Sequence, residues 1–211
     1  STIAVMDMIS NNGDRHFGNI MVDKETHDLI PIDHGTAFGN SMQGSRNDIA
    51  KAMHSEGVAL QIPPQLHEKL KAASVDSTFR ALDESGLPDW AKAQTFLRQK
   101  YAVHMQEQFG HLPFDRMRTT VTSRNGGLEV YMTGNGGAEG WNDRGGLMGF
   151  FDAQDKGQLP HQQFDSFSKT WMEERIKDPS HPEHQDAKRL FAMQPIRKNQ
   201  HVTGRADSST E

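Results

Sequence analysis

Three polar residues near the start of this 211-residue chain could together move a phosphoryl group: Asp14, Asn19 and Asp33. The chemistry needs one group that holds or deprotonates the acceptor and two oxygen ligands for magnesium on a nucleotide. Asp14 stands five residues before Asn19, and Asp33 follows after one short polar interruption.

Those residues must be brought together by local structure, and the sequence says how. Ile20, Met21 and Val22 form a short apolar run, Asp23 to Asp28 is polar turn material, and Leu29, Ile30 and Ile32 form a second run around Pro31. Two short strands about a turn fit this pattern, and Pro31 places the second strand at a sheet edge. Antiparallel pairing puts Asn19 at the mouth of the first strand and Asp33 at the end of the second, side by side. The preceding Thr2–Ile9 is apolar and reads as a buried helix that ends at Ser10–Gly13. Turn capping alone does not account for three polar groups in these places.

The combination DRHFGNIMV with LIPIDHG at this spacing resembles the catalytic and metal-binding loops of the phosphatidylinositol 3-/4-kinase superfamily, and the LIPIDHG ending is most similar to its type II phosphatidylinositol 4-kinase branch. The likeness covers roughly Ile3 to Phe38. It implies Asp14 as the catalytic acid, His16 as a second candidate base, Asn19 and Asp33 as magnesium ligands, and ATP and Mg2+ as the nucleotide and ion. An ordinary protein kinase would show an HRD-type loop and a DFG triplet. Here His16 follows the Asp and Arg, and His34 stands where that Phe would be.

Composition bounds the rest. Hydrophobic residues make up 34% of the chain, and the 19 glycines bring it near the globular range. The formal charge of −5, from 23 basic and 28 acidic residues, argues against a dedicated nucleic-acid binder. With no cysteine there are no disulfides or thiolate metal sites. No apolar run approaches the ~20 residues that span a bilayer, and the opening residues lack a signal pattern. The scattered His residues show no zinc spacing. Only thirteen residues precede Asp14, too few for the small lobe that covers the nucleotide in a kinase, and no Walker-type phosphate loop follows. The sequence therefore reads as the larger lobe of a kinase, from a longer parent or a degenerate gene.

Four regions are expected. Residues 1–120 form a mostly helical kinase-like lobe, the large C-terminal lobe of a protein-kinase-like fold, carrying one small β-hairpin. Its helices run over Arg46–Glu56 with Asn47 as cap, Pro64–Ala73, Asp76–Ser85 and Pro88–Phe109. In the last of these, Trp90, Ala93, Phe96, Leu97, Tyr101, Met105 and Phe109 share one broad stripe. Residues 126–149, which hold nine of the 19 glycines, read as a linker. Residues 150–194 resemble an EF-hand helix–loop–helix with Asp152 and Gly157 in place. Lys156 and Gln163 occupy ligand positions and spoil the calcium set. Phe164, Phe167 and Trp171 are its packing residues, and a last short helix carries Leu190 and Phe191. Residues 195–211 read as a disordered tail.

The sequence thus points to an ATP- and Mg-dependent phosphotransferase whose acceptor is an inositol phospholipid or a protein hydroxyl. Its expected place is cytoplasmic, with peripheral contact to membranes. The competing reading is a non-catalytic pseudokinase lobe serving as an interaction module. A calcium sensor ranks third because of Lys156.

Overall fold

The computed structural model describes residues 2–12, 14–38, 46–112, 155–156 and 160–193. The glycine-rich stretch 126–149, the expected EF-hand-like loop apart from Asp155, Lys156 and its last residues, and the tail 195–211 lie outside the described residues.

In chain order the elements are α1 (Thr2–Ser10), β1 (Asp14–Arg15), a 3-10 turn (Phe17–Asn19), β2 (Ile20–Val22), β3 (Leu29–Pro31), β4 (Arg46–Asn47) and α2 (Asp48–Ser55). Then come α3 (Pro64–Ala72), α4 (Val75–Leu82), α5 (Asp89–Phe109), α6 (Pro160–Lys177) and α7 (His184–Met193). The described residues are mostly helical with a small antiparallel pair, as their periodicity predicts. In that pair Ile20 faces Pro31 and Val22 faces Leu29. The turn between them is closed by Asp23, whose Oδ1 accepts from the Glu25 and Thr26 amides at 2.8 Å each. Those two bonds hold the Asp23 carboxyl below its usual range.

The helix boundaries follow local chemistry. Asn47 Oδ1 accepts the Ala50 amide at 2.9 Å and caps α2. Pro64 opens α3, where a missing N–H costs nothing. A reciprocal capping box starts α4: Ser74 Oγ accepts from the Ser77 amide, and Ser77 Oγ accepts from the Ser74 amide. Gly86, at φ +67°, and Gly110, at φ +72°, take the left-handed conformation where the chain leaves its helices. Ser74→Ala should lower stability by about 1 kcal/mol, read as a lower urea midpoint at unchanged slope.

The core is built round α5. One apolar stripe was the expectation from sequence, but α5 buries Ala91, Ala93, Phe96, Leu97, Tyr101, Ala102, Val103 and Met105, which together cover most of its circumference. The reason is that α1, α3, α4, α6 and α7 all pack against it. Phe96 meets Trp171 edge-on at 5.6 Å, and Tyr101 meets Phe164 at 5.5 Å. Such ring pairs add about 0.5–1.5 kcal/mol each beyond the area they bury. Lys100 reaches from α5 to the end of α3, donating to the carbonyls of Lys71 at 2.9 Å and Ala73 at 2.7 Å. Burial pushes its ammonium below the usual lysine range.

Leu190 is fully buried, but its neighbour Phe191 is 55% exposed. Adjacent helical residues point ~100° apart, so the contact face of α7 admits one and leaves the other in solvent.

Candidate active site

Asp14 begins β1, and the short bridge from Asp14–Arg15 to Arg46–Asn47 is parallel. The Asp14 amide donates to Asn12 Oδ1 at 3.2 Å. Its carboxylate is half exposed, with Oδ2 4.0 Å from His16 Nε2. The pair therefore sits beyond hydrogen-bond length, with both groups open to a reactant. The His16 ring also packs tightly over Gly18, where an added Cβ would come within 2.9 Å of two ring atoms. Any side chain at position 18 would push the ring aside.

Asn19 closes the 3-10 turn and is buried. Its Nδ2 donates to the Asp14 carbonyl at 2.9 Å, so Oδ1 is the atom that can serve as a ligand. Asp33 lies just past β3 and is exposed. Its backbone is left-handed at φ +53°, which an Asp tolerates better than most residues, and its Oδ1 accepts from the Gly35 amide at 3.3 Å. The Ile32 amide donates to the Asn19 carbonyl at 2.9 Å. The backbone next to Asp33 is thereby fastened to Asn19, as a hairpin joining the two requires.

Beneath these groups lies a polar hub that the sequence reading did not identify. Arg15 is 0% exposed and Asp7 of α1 is 5% exposed. Arg15 Nε lies 3.0 Å from Asp7 Oδ2, and Nη2 lies 3.0 Å from Asp7 Oδ1. The guanidinium then reaches on. Nη1 donates to the carbonyls of Asn19 at 2.8 Å and Ile32 at 2.6 Å, and Nη2 meets His34 Nδ1 at 3.1 Å. Asp7 also accepts from the Asn12 amide group at 3.2 Å and the Asn47 amide group at 3.1 Å. Asn12 Oδ1 in turn accepts from Thr36 Oγ1 at 2.6 Å. A buried ion pair survives only when its remaining donors and acceptors are satisfied, and here they are.

The donor set suits a hard divalent ion. Asn19 Oδ1 and the Asp33 carboxylate are hard oxygen donors, and magnesium is commonly held by one or two protein groups plus phosphates and water. Among the described residues no cluster of three His, Cys, Asp or Glu side chains forms a larger metal cage.

Residues 1–99 match the model of the family described as phosphatidylinositol 3- and 4-kinase. Over this segment, just under half of the chain, the sequence is similar to the phosphatidylinositol 3-/4-kinase superfamily. Neither the comparison with curated proteins nor that with solved structures gives a match. The matched segment runs from α1 into α5 and so contains the hub and the hairpin. A phosphatidylinositol 3-/4-kinase segment points to a lipid-kinase-type function, and to ATP with a lipid or protein acceptor in general.

Proposed function

We propose that this chain supplies the catalytic loop and metal-binding turn of an ATP- and Mg-dependent phosphotransferase acting on an inositol lipid headgroup or a protein hydroxyl. The observation that carries the reading is the shared fastening of Asn19 and the Asp33 turn: one guanidinium group, on Arg15, binds the carbonyl of Asn19 and that of Ile32. Asn19 Oδ1 and the Asp33 carboxylate would hold the ion. Bound there, magnesium neutralises charge on the nucleotide phosphates. Asp14 orients the acceptor hydroxyl and takes its proton as the acceptor oxygen bonds to the γ-phosphorus and the bond to the bridging oxygen breaks, releasing ADP. His16, open on the same side, assists or replaces it as base.

The LIPIDHG ending supports placement in the type II phosphatidylinositol 4-kinase branch. A lipid acceptor would bring the protein to the cytoplasmic surface of a membrane as a peripheral visitor. No helix among the described residues is long and apolar enough to cross one.

The test is ATP turnover by the full-length protein, with inositol lipid and protein acceptors side by side. Asp14→Asn should lower turnover by about 100- to 10,000-fold, the range of a general base. His16→Ala decides between the two candidates: a loss as large assigns His16 the proton transfer. Wild-type protein that neither binds Mg-ATP nor turns it over would sink the enzyme reading and leave the interaction module in its place.

A further inference from the structure

We infer that Arg15 is the positioning residue of the metal site, setting the placement of Asn19 and Asp33 relative to each other without touching either ligand atom. The inference rests on the ligand roles given to those two residues above.

The argument starts from what the guanidinium touches. Nη1 bonds two carbonyls at once, one belonging to Asn19 itself and one to Ile32, the residue before Asp33. Nη2 meets the side chain of His34, the residue after Asp33. Arg15 therefore holds the chain on both sides of one ligand and the main chain of the other. The guanidinium is planar, and its donors stand at fixed angles. Carbonyls bonded to it cannot drift independently, so the separation of the two loops is set by a rigid group and not by flexible side chains.

Two further observations give this placement a direction. Asp33 is held at φ +53°, a conformation that persists when its surroundings over-determine it. The bonds to Ile32 and His34 bracket that residue. The Arg15 side chain is in turn aimed by Asp7, which meets both Nε and Nη2. Asp7 is fixed further by Asn12, in the turn after α1, and by Asn47 at the cap of α2. A residue present only to fill the interior would need neither the fork nor these supports. An ammonium could neutralise Asp7 equally well, but it has no planar fork with which to span both carbonyls and His34.

Arg15→Lys separates the two roles. Residues that orient metal ligands from behind typically contribute 10- to 100-fold to metal affinity. In the full-length protein, the magnesium concentration giving half-maximal nucleotide binding should rise by about 10- to 100-fold in the Lys variant, while ATP binding without magnesium stays unchanged. Amide hydrogen exchange over residues 32–37 should quicken, with α5 as protected as in wild type. A Lys variant that matches wild type in magnesium dependence and in exchange over 32–37 overturns the inference. So does a loss of protection spread evenly through α5, which would make Arg15 a plain stability residue. A wild-type protein with no magnesium-dependent nucleotide binding defeats the functional reading itself. That outcome is read in the wild-type arm alone, so it cannot be confused with failure of the Arg15 role.

Discussion

Replacing Arg15 by Met should destabilise the fold by about 3–5 kcal/mol, because it leaves the Asp7 carboxylate buried without its cation. The carbonyls of Asn19 and Ile32 would lose the same donor. Asp7 keeps its bonds from Asn12 and Asn47, but two neutral amide donors do not replace a charged one. The measurement is urea unfolding followed by far-ultraviolet circular dichroism. Asp7→Leu should cost a similar amount, since it strands the guanidinium instead. The double variant Asp7→Leu with Arg15→Met should cost less than the sum of the two, because no unpaired charge remains inside. Strictly additive losses would show that the pair is not coupled and that the hub carries no energetic weight as a pair.

Asp33→Ala should abolish detectable phosphoryl transfer by the full-length protein. It removes the carboxylate proposed to hold the ion that would offset charge on the transferring group. The fold should survive, because Asp33 is exposed. Ala in the left-handed region costs roughly 1–2 kcal/mol, so a modest drop in stability is expected too. Asp33→Asn controls for that strain. Asn tolerates the same backbone and removes only the charge, so it should retain wild-type stability and still fail in the assay. An Asn variant with near-normal turnover would move the metal role elsewhere.

The hairpin was legible in the sequence because two apolar runs around a polar turn admit little else. Its edge position followed from Pro31, whose missing N–H keeps it off a central strand. The helices were legible from their periods, and α2 from Asn47 standing just ahead of its first turn. The hub was not legible. Asp7 lies inside TIAVMDMI, where it reads as one polar residue in a buried helix, and its partner lies eight residues on, across a turn. A pairing of that kind leaves no period. The signal that could have found it is the acid itself: a carboxylate in an otherwise apolar helix must be paired, and Arg15 is the nearest cation. The parallel bridge of β1 with β4 is only two residues long, too short to leave an alternation. Burial all round α5 escaped because apolar spacing along one helix does not say how many neighbours close over it.

The arrangement round α5 also bears on how such a gene can be cut and rejoined. The family match ends at residue 99, in the middle of α5, while Trp171, Phe164 and Leu190 from the last two helices lie in the same cluster as Phe96 and Leu97. A recombination breakpoint placed anywhere between α5 and α6 would hand on the family-matched segment with an open apolar flank. The first hundred residues therefore depend on α6 and α7 to cover the apolar side of α5.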